Sequence, residues 1–146
     1  MRGETASVSL PWPHKVLWPN GRTRNPRYKA SETAKHKQWA WAAATAAKLV
    51  APDGRIPVLL TFYPKPRGPA PDKDNCQASA KAYLDGIAKA MGVDDRLFDP
   101  HTEIADERAG KVVITIGGGD GFRSFGEIAS GVVDRLSQQF DQQEAA

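Results

Sequence analysis

Two clusters of proline divide this 146-residue chain: Pro11, Pro13, Pro19 and Pro26 near its start, and Pro64, Pro66, Pro69 and Pro71 in its middle. A ring that fixes φ and removes an N–H donor interrupts helices and sheet ladders alike, so regular structure is confined to the intervals around these clusters. Thr5 to Leu10 alternates small polar and apolar residues, which predicts a short strand running into a loop at Pro11. Pro19, Asn20, Gly21, Asn25 and Pro26 extend that loop to about Ser31, the cap of a helix that runs to about Val50. Trp39, Ala43, Ala46, Ala47 and Val50 then share one helical face. Ala51 to Gly54 reads as a turn, and Ile56 to Tyr63, rich in β-branched and aromatic residues, as a second strand.

Beyond the second proline cluster, the run from Asp72 predicts one helix closed by Gly92, with Ala80, Leu84, Ile87 and Met91 facing the sheet. At about 100° per residue, Asp74, Lys81 and Asp85 form a polar stripe away from that face. Thr102 to Arg108 and Lys111 to Ile116 read as two strands of a hairpin turning at Ala109 and Gly110. The glycine run from Gly117 to Gly121 is a break that lacks the lysine and spacing of a phosphate-binding loop. Phe125, Ile128, Val132, Val133, Leu136 and Phe140 then line one side of a last helix. The order of elements predicts a single α+β domain, a mixed β-sheet packed by helices, with residues 1–121 as its body and 122–146 as a C-terminal helical extension.

Several classes are excluded or disfavoured. One cysteine, Cys76, rules out a disulfide within the chain, and no Cys/His cluster has zinc-ligand spacing. The most apolar stretch, Trp39 to Val50, is broken by Thr45 and Lys48 and falls short of the roughly 18 residues a bilayer span needs. Arg2 and Glu4 are followed by no apolar run of the kind a secretion signal carries. The expectation is a soluble, cytoplasmic protein with no membrane partner.

Charge is unevenly divided: residues 1–73 hold 13 Lys/Arg against 4 Asp/Glu, whereas residues 74–146 hold 7 against 13. The basic excess is densest at Lys15, Arg22, Arg24, Arg27, Lys29, Lys35 and Lys37, opposed by Glu32 alone. Such a segment is either a phosphate footprint or a solvated loop and helix face. The acids come in pairs, Asp72 and Asp74 around Lys73, and Asp94 beside Asp95. Mg²⁺ takes octahedral oxygen ligands, commonly one or two carboxylates with water and phosphate completing the shell. Asp72, Asp74 and Asp95 are therefore candidate metal ligands for phosphodiester hydrolysis, with Lys81 as a cation for a phosphate oxygen or for orienting water. Taken singly, each has a plain alternative: a helix cap, a turn, or an i, i+4 pair of Lys81 with Asp85. His14, His36 and His101 are scattered, and none is assigned a catalytic role.

LPWP at Leu10–Pro13, WPNGRTR at Trp18–Arg24, PDKDN at Pro71–Asn75, KAYLDGI at Lys81–Ile87 and GVDDRLF at Gly92–Phe98 together resemble RusA-type Holliday-junction resolvases. The resemblance spans roughly residues 7–116. It implies a RusA-like fold in residues 1–121 and a homodimeric, Mg²⁺-dependent endodeoxyribonuclease, with Mn²⁺ able to substitute. Such an enzyme resolves four-way junctions by paired nicks during recombination and repair, in a bacterial or phage-infected cell. By the same resemblance Asp72, Asp74 and Asp95 hold metal, Lys81 is the helix lysine, and Lys15, Asn20, Arg22, Arg24, Arg27, Arg67 and Lys73 meet branched DNA. Compared with the shorter family form, three extra residues separate Asn75 from the lysine; counting from Asn75 selects Ala78, whereas the register of AYLDG selects Lys81. The segment after Ile116 lies outside the resemblance and either extends a dimer interface or covers a sheet edge. Two other readings compete. One is a metal-dependent nuclease for other branched or duplex DNA; the other is a non-catalytic nucleic-acid-binding module in which Trp12, Trp18 and Tyr28 stack on bases. A Ca²⁺-binding structural role lacks the twelve-residue ligand loop.

Overall fold

The structure, a computed structural model, describes residues 6–21 and 23–117. The terminal helix and most of the glycine run expected from the sequence, and Arg22, lie outside the described residues.

Strand β1 is Ala6–Pro11, and its alternation sends Val8 and Leu10 inward. A 3₁₀ turn at Lys15–Leu17 buries Val16 and leads to helix α1, Pro26–Ala46. The helix thus begins five residues before Ser31. Proline at the first helical position loses no hydrogen bond, and Asn25 caps it by accepting from the Arg27 N–H at 3.0 Å. Its buried face also differs from the expected one: Glu32, His36, Ala40 and Ala44 point inward, while Val50 is 84% exposed. An alanine-rich helix has little contrast between its faces, so contact with the next helix decides which is buried.

Strand β2, Ile56–Tyr63, matches its expected limits and is buried along its length except at Pro57. The single helix expected from Asp72 to Gly92 is two, α2 at Lys73–Ser79 and α3 at Lys81–Met91, broken at Ala80. Ser79 Oγ donates to the Cys76 carbonyl at 2.7 Å, the kind of local side-chain bond that competes with a helical ladder. The break lets α2 lie against β3 while α3 packs on α1. Gly86 marks the α1–α3 crossing, since a Cβ there would stand 2.2 Å from the Lys37 carbonyl oxygen and 3.1 Å from the Ala40 Cβ. Gly92, at φ +70°, ends α3 in the left-handed conformation anticipated for it.

After a 3₁₀ turn at Asp95–Leu97 come β3, Phe98–Ile104, and β4, Lys111–Ile116. The expected hairpin does not form. Sheet order is β1-β4-β2-β3, so β2 lies between the two strands, parallel to β3 and antiparallel to β4. β2 and β4 are the most thoroughly buried strands and take the centre; β3, half-exposed and interrupted by Pro100, takes an edge, where a missing N–H is tolerated. Val58, Leu60, Phe62, Val112 and Ile114 form the main core with Ala40, Ala44, Tyr83 and Ile87 from the helices. Tyr83 also donates its hydroxyl to the Pro11 carbonyl at 2.7 Å, joining α3 to β1, and burial pushes its phenol well above the usual range. Among the described residues no helix is long and apolar enough to cross a membrane. The described residues thus form a small α+β domain with a mixed four-stranded sheet and three α-helices.

Candidate active site

The two aspartate pairs are built alike. Asp72 is the cap of α2, its Oδ1 accepting from the Asp74 N–H at 2.8 Å; Asp94 caps the 3₁₀ turn, its Oδ1 accepting from the Arg96 N–H at 2.9 Å. In each pair the first acid satisfies backbone and the second is left at the mouth of a cleft. Asp74 and Asp95 both line it. Arg96 reinforces the division: its guanidinium grips Asp94, Nη2 to Oδ2 at 2.9 Å, and holds that carboxyl down to about 2.

The cleft is open, about 340 Å³, with Asp74, Gln77 and Ala78 from α2, Lys81 and Leu84 from α3, Asp95 from the turn, and Phe98 and Pro100 from β3. Lys81 Nζ donates to Asp95 Oδ2 and to Asp85 Oδ1, each at 3.3 Å. The polar stripe of Asp74, Lys81 and Asp85 therefore survives the helix break, and the turn that begins β3 brings Asp95 against it. Burial alone draws the Lys81 pKa down, but its hydrogen bonds to the Asp95 and Asp85 carboxylates and their negative charge outweigh it and hold the ammonium above its ordinary range. Lys81 is a fixed positive charge at neutral pH, suited to a phosphate oxygen rather than to abstracting a proton. Ala78, the alternative position, shares the cleft but has no charged group to offer.

The donor set suits a hard cation only in part. Asp74 and Asp95 offer carboxylate oxygens in one solvent-open cleft, the number of acids Mg²⁺ commonly takes from protein. Asp72 is not among the cleft residues and has one oxygen occupied as a cap. Among the described residues no group of three His, Cys, Asp or Glu side chains is gathered closely enough to hold a metal ion.

The basic residues are distributed differently. Lys15, Asn20, Arg24 and Arg27 are exposed between the 3₁₀ turn and the start of α1, and Arg67 is exposed in the proline-rich loop. Lys73 is exposed at the start of α2, 3.9 Å from Glu103. Trp12 and Trp18, named as possible base-stacking rings, stack on each other at 5.2 Å and meet Phe62 edge-on; Trp18 also donates to the Pro13 carbonyl. They are packing residues. Tyr28 remains exposed, 3.0 Å from His14 Nε2.

A buried network here escapes sequence reasoning. His36 Nε2 accepts from the His14 backbone N–H at 3.1 Å, so its Nδ1 carries the proton and donates to the Glu32 carbonyl at 2.7 Å. The Glu32 carboxylate lies 3.2 Å from Lys35 Nζ and 3.8 Å from His14 Nε2. Burial lowers the His36 pKa. The i, i+4 spacing of Glu32 and His36 was the available signal, but it reads as solvated polarity until the partner loop is known. Arg108 is a second such case: it donates to the carbonyls of Lys65 and Gly68 at 2.8 and 3.0 Å and ties down the proline-rich loop that leads to Asp72.

No family model matches the chain. It is 44% identical over 117 residues to an uncharacterized protein of Xylella fastidiosa (strain Temecula1 / ATCC 700964), the match taking in 77% of this chain and 76% of that protein, and the chain belongs to the same family as that protein.

Proposed function

We propose that this protein is a RusA-like, Mg²⁺-dependent, structure-selective endodeoxyribonuclease that resolves four-way DNA junctions as a homodimer, in recombination and repair in the bacterial or phage-infected cytoplasm. The observation that carries the reading is the convergence of Asp74, Lys81 and Asp95, from three separate elements, on one open cleft. Asp74 and Asp95 are the acids that would hold the cation, with Asp72 beside them at the start of α2 by the family resemblance. A bound Mg²⁺ supplies charge against the phosphate and makes water nucleophilic at neutral pH. Lys81 would offer its ammonium to a non-bridging phosphate oxygen, and the exposed Lys15, Asn20, Arg24, Arg27, Arg67 and Lys73 are the groups that would contact the polyanion. Paired nicks in one junction need two equivalent sites at a fixed separation, which a two-fold dimer supplies.

The deciding experiment incubates the protein with a labelled immobile four-way junction and a linear duplex of the same sequence, with Mg²⁺ and with chelator, beside Asp74→Asn. Paired nicks in the junction alone, lost with chelator and in the variant, support the reading. Cleavage of both substrates makes it a nuclease of broader target. Binding without cleavage under any metal overturns the enzyme assignment and leaves a nucleic-acid-binding module.

A further inference from the structure

Lys81 stands midway between two acids of different standing. Asp85 is one turn further along α3, at i+4, where helix geometry keeps it within reach whatever happens at the cleft; Asp95 belongs to the turn before β3 and lines the cleft itself. Both contacts are 3.3 Å, and the lysine side chain is 71% exposed. Resting on the nuclease reading above, we propose that Asp85 is a positioning residue that anchors Lys81 so that a divalent cation can replace the ammonium at Asp95 without the lysine leaving the cleft.

The physical argument concerns what happens when a cation arrives. An ammonium and a divalent cation compete for the same carboxylate. A lysine with a single acidic partner then loses its restraint, and a four-carbon stem in solvent explores many rotamers. Asp85 supplies the second partner, so the ammonium gives up one contact and keeps the other, still beside the place where a phosphate oxygen would lie. Exposed pairs of this kind are weak, each worth up to about a fivefold factor in an equilibrium. Weakness suits the role, since a stronger Lys81–Asp95 bond would exclude the cation. The same logic accounts for the pairing of Asp95 with a lysine in a cleft that two acids line.

The test reads cation binding without DNA, by counting free Mn²⁺ with electron paramagnetic resonance, in the wild type, Lys81→Met, Asp85→Asn, the double variant, and Lys89→Met as a charge control on the same helix. We expect Lys81→Met to bind Mn²⁺ about fivefold more tightly and Asp85→Asn roughly twofold to threefold more weakly, because the freed lysine falls back on Asp95. In the Lys81→Met background Asp85→Asn should have no further effect; with Lys81 in place, Asp85→Glu should keep wild-type affinity and Lys89→Met should change nothing. An Asp85→Asn effect of equal size with and without Lys81 would reduce Asp85 to a remote negative charge and overturn the proposal. Mn²⁺ binding that is unchanged in Lys81→Met overturns it while leaving the nuclease reading standing; a wild type that binds no Mn²⁺ removes both. Thermal melts followed by circular dichroism confirm that each variant is folded, and Lys81→Gln repeats the charge removal with a polar side chain.

Discussion

In the cleft, Asp74 and Lys81 stand exposed at helix ends and Asp95 half-buried on a turn, and none belongs to the hydrophobic core. Between His14 and His36 the arrangement is inverted: Glu32 and His36 are buried, His36 is bonded through both ring nitrogens, and the rings of Trp12 and Trp18 close over Phe62. Polar groups therefore serve two ends in one small domain. In the first region they cost little stability and remain available to a ligand; in the second they are spent on holding an irregular loop against a helix. The basic side chains Lys15, Arg24 and Arg27 project from that second region, so its buried polar network is the rigid support of the proposed DNA-binding surface.

The contrast predicts opposite phenotypes. Asp74→Asn or Asp95→Asn should lower single-turnover junction cleavage on the order of 10³-fold while the melting temperature and DNA affinity hold, as expected for groups outside the core. Retained cleavage in either variant would dismantle the cleft assignment. Asp72→Asn sharpens the same point, because asparagine caps a helix as well as aspartate does. Loss of cleavage with an unchanged melt, the expected result, would show that the second Asp72 oxygen serves the metal.

His36→Ala should do the reverse, costing roughly 2–3 kcal/mol of stability in denaturant titration, since it strands the His14 N–H and leaves a cavity where a buried ring stood. Intact stability in that variant would break the comparison. The same histidine sets a pH dependence. Its folded pKa is lowered from 6.5, so the unfolded chain takes up the proton first, and stability should fall as pH drops below about 6.5, by at most ~1.4 kcal/mol per unit. Melts at pH 7.5, 6.5 and 5.5 follow it, and His36→Ala should abolish this component.

The smallest effects lie on the exposed basic residues. Arg24→Ala and Arg27→Ala should each reduce the slope of log affinity against log salt by about one, with folding unaffected. Unchanged slopes would place the DNA on another face.

Much of the fold is legible residue by residue. β2 is read within its limits because β-branched and aromatic residues are flanked by turn-forming Pro52 to Gly54 and by Pro64. The Gly92 cap and the pairing of Lys81 with Asp85 follow from local geometry alone, whereas Asp74 reaches the same cleft across a helix break the sequence did not announce. The start of α1 is misread because Asn25 and Pro26, taken as breakers, are a cap and a first-turn residue. Its buried face is hidden by the uniformity of its alanines and settled by Gly86 on another helix. The hairpin is misread because strand pairing is not a property of neighbouring strands in sequence: β2 inserts between β3 and β4.

The sequence by itself determined where most elements lie, which residues bear charge, and that bases are in excess in the first half and acids in the second; these follow from sterics and composition over a few residues. Only the tertiary structure decided the sheet order, the division of each aspartate pair into a cap and a cleft acid, and the meeting of Lys81 with Asp95 across 14 residues. Such contacts depend on which buried surfaces fit together, and packing is shared among distant segments whose local propensities carry no record of it.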